Sequence, residues 1–558
     1  MDFTILVGGA AGQGMDTFAN ILEKSLKRSG FHIFSHSDYM SRVRGGHNFM
    51  QIRFSDKPIS SYTKEVDIIF ALNEETVEIH EKRLKENGII ILDQEIAKEK
   101  NLIHLPLTET AKALGNIRVS STVGLGAILK YFGLAKDKTQ IVIKEEFNQK
   151  IADVNLQALD EGYKLLDSKY SLQSKEDQSI LINGNNAVAL GAIAAGCRYY
   201  CGYPMTPSTG VLNYMSLKSE EMGIVIDQVE DEVAALNMAL GASYAGVRAM
   251  TGSSGGGIAL MTEAFSLAGM IETPVVVINV QRPGPATGLP TRTEQADLRF
   301  MIHLGHGEFP KMVISLRNGE DAFYQTARAF NLADKYQIPV ILLSDQNLSD
   351  SMVTYEPFDF EKISIDRYLA DEESIGEGER YKRYKYTENG ISPRIIPGQI
   401  ENQVVLVDSD EHDEYGNITE SAEVRKKMVD KRAKKFENLK KEVQEPWLIG
   451  KEDPEYLILA WGSLYGAVKE AVEMLNSEGV SISALVFGDI WPLPRKKLEE
   501  MNKKTKTLIA VEQNSTAQLD SLIREEMLIK CDHKILKYDG RAFSGEEIYE
   551  RLKEEVLQ

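Results

Sequence analysis

Cysteine is scarce: 558 residues hold three, at Cys197, Cys201 and Cys531. No second pair accompanies Cys197 and Cys201, so this chain alone does not complete a four-thiolate iron–sulfur site, and free buried thiols are expected instead. Long apolar runs are also lacking. Stretches such as "AVALGAIAAG" (187–196) fall well short of the ~20 residues that span a bilayer, so no membrane segment is expected. Positive charge is in deficit, with 64 Lys and Arg against 83 Asp and Glu and a net charge of −19. A contiguous nucleic-acid surface is not expected from such a balance. The start, "MDFTILVGGAAGQG", has no basic leader and runs from an apolar stretch into a glycine turn. It reads as a first strand and not a signal peptide, with the cytoplasm as the default location.

What is present suffices for several cores. An apolar fraction of 43% is ordinary for a folded protein, and the length suggests about three or four domains at roughly 100–200 residues each. Residues 1–165 read as α/β, because "FTILV" (3–7), "VDIIFAL" (66–72) and "GIIILD" (88–93) alternate with charged helical stretches. Residues 166–180 have linker composition. A second α/β domain is expected over 181–355, with strands near 199–204, 246–252, 274–280 and 338–345. Residues 356–449 read as a connector that ends in a charged helix carrying a partial apolar stripe of Val424, Met428, Phe436, Leu439 and Val443. A third α/β domain is expected over 450–558, and no short-period repeat is evident.

Glycine turns punctuate these domains. "GGAAGQG" (8–14) follows the first strand and precedes a helix, so the backbone at Gly12 and Gly14 can approach an anion at the helix start. It matches neither the dinucleotide fingerprint nor a P-loop, and a simple strand–helix turn is the competing reading. "SRVRGGHNFMQIRFS" (41–55) adds Arg42, Arg44, His47 and Arg53, either a phosphate cradle or a solvated basic loop. In the second domain, "CGYPMTPST" (201–209) fixes Thr206 between two prolines in a rigid loop. "QVEDEVAALNMALGASYAG" (228–246) brings three acids to the head of a small-residue helix, where negative charge suits the helix dipole. Glu232, the last of the three, is the one placed to turn inward. "TGSSGGG" (251–257) is a further strand-to-helix turn open to close approach by a ligand, and Arg282 and Arg292 follow a strand directly in "QRPGPATGLPTRTEQADL" (281–298). An arginine there can pair bidentately with a carboxylate.

These motifs, in this order and spacing, resemble the α subunits of 2-oxoacid:ferredoxin oxidoreductases. "GGAAGQG…RVRGGHNF" is similar to the family's γ subunit, here fused ahead of α, and "DSDEHDEYGNITE" (408–420) and "VEQNSTAQL" (511–519) are similar to the 2-oxoglutarate-type branch. The resemblance implies three α/β domains: a γ-like domain, a pyrimidine-type thiamine diphosphate domain and a transketolase C-terminal-like domain. It implies oxidative decarboxylation of a 2-oxoacid, most simply 2-oxoglutarate, with CoA as co-substrate, ferredoxin as acceptor and a setting in anaerobic metabolism. Glu232 takes the place of the glutamate that hydrogen-bonds the cofactor's aminopyrimidine and favours its imino tautomer. Thr206 and Arg282 take substrate positions, with Thr291 a weaker candidate, and Gly252 and Ser253 border the cofactor. Gly12, Gly14 and Arg44 are the candidates for CoA or another phosphate.

What the chain lacks is then informative. No Gly-Asp-Gly motif with a downstream Asn is present to hold a diphosphate and its metal; "FGDIW" and "YDGRAF" are the nearest strings and neither fits. The resemblance therefore implies a β subunit carrying Mg2+, the diphosphate site and a [4Fe-4S] cluster, in a heterotetramer of two α–β pairs. No metal is expected on this chain, since "DSDEHDE" (408–414) lacks the glycine and terminal glutamate of an EF-hand loop. Two alternatives stay open: the same machine acting on pyruvate or branched-chain 2-oxoacids, and a non-catalytic nucleotide- or CoA-binding module.

Overall fold

The computed structural model describes residues 1–40, 46–93, 102–375 and 379–557. They form two compact units, each built on parallel or mixed sheets flanked by helices. Among the described residues no helix is long and apolar enough to cross a membrane.

The first unit comprises residues 1–182, 350–357 and 544–547. Its eight-stranded sheet runs Ile103–Leu105, Leu84–Asp93, Val66–Ala71, Asp2–Gly9, Asn48–Ser55, His32–Asp38, Met352–Tyr355 and Ile180–Ile182. Asn48–Ser55, read from sequence as part of a basic loop, is a central strand, antiparallel to Asp2–Gly9 on one side and to His32–Asp38 on the other. Its arginine is tolerated there because Arg53 Nη2 reaches Asp2 Oδ2 at 2.6 Å and Nη1 donates to Ser61 O at 2.7 Å. Helices Ser120–Tyr131 and Gln149–Gly162 cross so closely that a β-carbon on Gly162 would lie 1.9 Å from Val123 O. The polar stretch expected as a linker lies along this unit: Tyr170 joins a ring cluster with Phe3, Phe132 and Tyr131.

The second unit comprises residues 183–349, 358–543 and 548–558. Its larger sheet runs Asp489–Trp491, Met312–Ser315, Pro339–Asp345, Val275–Gln281, Ala249–Ser253, Tyr199–Gly202 and Val225–Gln228, parallel throughout except for Asp489–Trp491. The runs expected as strands in this region from apolar composition are strands here, because both faces of a parallel sheet are covered. A second, five-stranded sheet runs Trp447–Ile449, Ile482–Phe487, Tyr456–Trp461, Thr507–Glu512 and His533–Leu536. One continuous core joins the two sheets, with Leu236, Phe265 and Val277 packed in the same cluster as Trp461, Phe487 and Leu522.

The connector is held by buried charge more than by its apolar stripe. In the helix Ala422–Leu439, Met428 and Leu439 are buried as expected, but so are Lys431, Arg432 and Lys435. Lys431 Nζ donates to Glu272 Oε1 at 2.6 Å, and Lys435 pairs with the other carboxylate oxygen. Burial would raise the Glu272 carboxyl, but Lys431, Lys435 and Arg383 more than offset it and hold it well below the usual range. Burial pushes the Lys435 ammonium down to about 7 against the pull of Glu272. A second hub lies on Asp334, which accepts from Arg248 at 2.8 Å, Arg394 at 2.7 Å and Arg367 at 3.3 Å. The acidic run "DSDEHDE" is tied into the fold: Glu411 pairs with Arg425 and Arg432, and His412 is buried against Tyr384.

Removing one side of a buried pair leaves the other charge without compensation, typically about 3–5 kcal/mol. Glu272→Gln, which strands two lysines, is expected to destabilise the second unit by an amount of that order in urea unfolding. Lys435→Met leaves Glu272 matched one-to-one with Lys431 and is expected to be close to neutral. Equal losses in the two variants would refute this account of the cluster.

Candidate active site

The larger sheet of the second unit creates a crevice by its winding. From Tyr199–Gly202 the chain moves outward to Val225–Gln228, then crosses back to Ala249–Ser253 on the other side. Loops leaving the strands at such a reversal diverge, and ligands bind at the carboxyl edge there. The residues singled out in this domain fall on that edge. Thr206 follows Gly202, Glu232 follows Gln228, the turn 254–257 follows Ser253, and Arg282 follows Gln281.

The three acids at the helix head divide their tasks. Asp231 caps the helix Glu232–Tyr244, its carboxylate accepting from Ala234 N at 2.8 Å. Glu230 faces solvent, while Glu232 turns inward and is 3% exposed. Ser253 Oγ donates to Glu232 Oε1 at 3.3 Å. The next turn fits around this carboxylate only because it is glycine: a β-carbon on Gly257 would lie 2.4 Å from Glu232 Oε1 and 2.1 Å from Ser253 Oγ. Gly252 is equally constrained, since a β-carbon there would meet Ile278 Cγ2 at 2.6 Å and the Tyr200 hydroxyl at 2.9 Å. Beside this turn the hydroxyl of Ser254 and the side-chain oxygen of Asn279 are buried without a hydrogen-bond partner.

Arg282 joins two of the rim loops, donating from Nη1 to Thr206 O at 2.6 Å. Burial holds its guanidinium below the ordinary arginine range. Thr206 is exposed, and Thr291 is half-buried in the loop that Arg282 opens. That loop contains acids to which sequence assigned no task. Asn279 Nδ2 donates to Asp297 Oδ2 at 3.0 Å, and a β-carbon on Gly255 would lie 2.3 Å from the same oxygen. Glu294 is raised to about 7 by burial and by the neighbouring Asp297 and Asp539. "TEQADL" spells both residues, yet only the folded loop shows that Asp297 lies against the turn and that its charge reaches Glu294.

The strings closest to a diphosphate anchor are otherwise engaged: Asp489 accepts from Arg328 at 2.7 Å and Asp539 pairs with Lys537 at 3.0 Å. Cys197, Cys201 and Cys531 are buried and unpaired. Among the described residues no group of three or more His, Cys, Asp or Glu side chains is placed to hold a metal ion.

In the first unit, Gly12 and Gly14 have positive φ, +89° and +83°, which lets the chain turn sharply into the helix Met15–Arg28. Gln13 fixes the loop, accepting from Ala10 N at 2.7 Å and donating to Leu72 O at 3.1 Å. The loop lines a cavity of about 910 Å³ together with Arg118, Ser121, Thr122 and Asn155. The start of a second helix, Ser120–Tyr131, faces the same space. Arg42 and Arg44 lie outside the described residues. His47 makes a histidine pair, its Nε2 being 2.8 Å from His80 Nε2.

A carboxylate is thus buried at a helix head behind a glycine turn, at the switch point of a parallel sheet, and the family model that matches this region makes the chain an enzyme subunit of the thiamine-diphosphate type. Three family models agree: pyruvate ferredoxin/flavodoxin oxidoreductase over residues 4–165, the thiamine diphosphate-binding domain of pyruvate flavodoxin/ferredoxin oxidoreductase over 190–431, and pyruvate:ferredoxin oxidoreductase core domain II over 454–548. The 2-oxoacid:ferredoxin oxidoreductase subunit alpha of a Sulfolobus species is 33% identical, covering 99% of this chain and 96% of its own. The 2-oxoglutarate synthase subunit KorA of Methanothermobacter marburgensis is 33% identical over 60% of this chain and 88% of its own. A solved structure of 2-oxoglutarate:ferredoxin oxidoreductase from Magnetococcus marinus, with 2-oxoglutarate, coenzyme A and succinyl-CoA bound, is 32% identical, with a TM-score of 0.92 and 99% of each chain covered. The chain belongs to the 2-oxoacid:ferredoxin oxidoreductase family, as an alpha subunit in which the domain matched over 4–165 precedes the thiamine-binding one.

Two outcomes are expected from this geometry. Gly257→Ala should leave the fold intact but displace Glu232 or Ser253, and a shift near 1 Å at such a group costs roughly 100-fold in turnover; normal turnover would show that Glu232 need not sit where it does. In the first unit, burial holds His36 at about 4 and His80 at about 3, with Arg83 adding to both. Unfolded histidines take up protons near 6.5, so opening this region takes up protons between those values. Stability should be fully present above pH 6.5 and fall as pH drops toward 4. Hydrogen exchange in Asn48–Ser55, corrected for its intrinsic pH dependence, should accelerate across that window, and protection that stays constant would refute the assignment.

Proposed function

We infer that this subunit catalyses the CoA-dependent oxidative decarboxylation of 2-oxoglutarate, passing two electrons to ferredoxin through a β subunit. The observation that carries the reading is the presence, on one sheet edge, of a buried carboxylate and of an arginine that spends one N–H on Thr206 O and has further donors to offer an anion. The names of the KorA relatives and of the Magnetococcus marinus structure support the choice of substrate.

The site fits an aminopyrimidine on two grounds: Gly257 leaves a cradle against Glu232, and the Ser254 hydroxyl and Asn279 oxygen are buried polar atoms in need of partners. Glu232, Gly252 and Ser253 would hold that ring. Thiamine diphosphate supplies the nucleophilic carbon and the electron sink that decarboxylation of a 2-oxoacid needs. With Ser253 Oγ on Oε1, the Glu232 carboxyl is fixed in one orientation and Oε2 is left to hold a proton shared with a ring nitrogen. Arg282 neutralises the substrate carboxylate until it departs as CO2, and the Thr206 and Thr291 hydroxyls orient the oxo group.

A β subunit supplies what is missing here: the diphosphate anchor, Mg2+ and a [4Fe-4S] cluster. Its docking is supported by the outer face of the glutamate helix, where Val233 and Met238 are exposed and Gly241 has nothing within 4 Å. Such a face exposes apolar surface and forgoes helix propensity without any gain inside the chain. The assembly is two α–β pairs. In the first unit, the cavity beside Gly12 and Gly14 takes the phosphates of CoA, with the two helix starts and Arg118 supplying the attraction.

The test is viologen reduction by the complex purified anaerobically from its host, with its mass measured alongside. Reduction is expected with 2-oxoglutarate, dependent on CoA and thiamine diphosphate, in an assembly of two α–β pairs, and Glu232→Gln should lower it at least 100-fold. Faster reduction with pyruvate or 2-oxoisovalerate would keep the reaction class and overturn the substrate. Turnover unchanged in Glu232→Gln would overturn the role of the carboxylate.

A further inference from the structure

The loop 282–297 carries Arg282 at one end and Thr291 near the other, and its tip, residues 284–289, is exposed. Its near end is tied by Arg282, whose Nη1 reaches Thr206 O, and its last residue returns to the sheet, Asp297 N donating to Gln281 Oε1 at 2.9 Å. Between them the far arm, Thr293 and Gln295, is tied to a carboxylate at the end of the strand Pro339–Asp345. Asp345 is 1% exposed. Its Oδ1 accepts from Thr293 Oγ1 at 3.2 Å and Leu348 N at 3.1 Å, and its Oδ2 from Gln295 Nε2 at 3.2 Å and Ser463 Oγ at 2.5 Å.

Ser463 belongs to the lobe built on the five-stranded sheet, directly after the strand Tyr456–Trp461. That lobe grips the same stretch of backbone: Gln295 N donates to Gln513 O at 2.8 Å, and Asn514 Nδ2 donates to Gln295 O at 3.1 Å. Asn514 is oriented in turn by Glu512, a fully buried carboxylate that accepts from it at 2.9 Å and from Trp461 Nε1 at 3.2 Å. Four donors converging on one carboxylate need both of its oxygens. An amide in its place offers one oxygen and turns an N–H2 toward donors, which breaks contacts on one side of the node.

We propose that Asp345 is a positioning residue for substrate binding, clamping the far end of the loop 282–297 between the sheet edge and the C-terminal lobe. The lobe thereby sets the hold on the 2-oxoacid while touching no reacting atom. This rests on the reading that Arg282 and Thr291 face the 2-oxoacid. A loose far end widens the range of Thr291 and of the arginine's backbone, so it weakens binding before it slows chemistry.

The experiment is steady-state viologen reduction by the complex carrying Asp345→Asn, Ser463→Ala, Thr293→Val or Arg282→Ala. Asp345→Asn is expected to raise KM for 2-oxoglutarate about tenfold, with kcat and the KM for CoA within a factor of about two. Ser463→Ala and Thr293→Val should move KM in the same direction by less, and they carry the test if Asp345→Asn does not fold. Gln295→Glu added to Asp345→Asn reverses donor and acceptor and should recover part of the loss. An unchanged KM in the three clamp variants, or equal losses in kcat and in both KM values, overturns the clamp. If Arg282→Ala leaves the KM for 2-oxoglutarate unchanged, the substrate role of the loop fails and the clamp proposal with it. If Arg282→Ala raises it while the clamp variants do not, the clamp alone is wrong.

Discussion

The carboxylate of Glu232 occupies space that a side chain at residue 257 would otherwise claim, and the turn after Ser253 is arranged around that exclusion. A carboxylate buried with one hydroxyl for company is costly unless something else completes its hydrogen bonding. Helix capping does not explain it, because Asp231 performs that task and leaves Glu232 free to turn inward. The glycines at 252 and 257 give no packing of their own; each makes room for a neighbour's polar atom. A polar site left incomplete by the chain's own groups is what a residue reserved for a ligand looks like, and local rules of stability are characteristically broken at such places.

The second unit otherwise satisfies its buried charge with care. Asp334 collects three arginines, Glu272 two lysines, and Asp345 and Glu512 are enclosed by neutral donors. Such nodes add little net stability, because desolvation consumes most of the attraction. They do make a misplaced segment expensive, since any other docking strands a charge. Segments that meet through them include the connector, the C-terminal lobe and the far end of the substrate loop. Fixing those joints matters more here than the last increment of stability, because the candidate site residues come from loops on several different strands.

The first unit follows a different logic. Its core is apolar and aromatic, its helices cross at glycines, and its cavity is lined by backbone turns, hydroxyls and apolar side chains, with Arg118 and Asp93 the charged groups. Turns of that kind offer oriented N–H groups, and this lining is chemically unlike the buried carboxylate and the arginine at the sheet edge of the second unit.

Local pattern in the sequence determined the α/β class, most of the parallel strands and the glycine turns, since apolar runs and turn residues act over a few positions. It also singled out Glu232 from its two acidic neighbours, because only the last acid runs into small residues. The central strand Asn48–Ser55 was hidden by its arginine, whose charge is balanced by Asp2, 51 residues away. Lys431 and Lys435 lie outside the apolar stripe read from the sequence, and their partner Glu272, 159 residues from Lys431, is known only from the fold. Thr291 and Arg282 were visible as side chains in one loop, but what holds that loop was not, for Ser463 meets Asp345 across 118 residues. A sequence read alone thus fixes what a residue can do and which face of its element it occupies. Whether a charge is buried, and against what, is decided only when distant segments pack, because the desolvation that makes the pairing necessary does not exist until then.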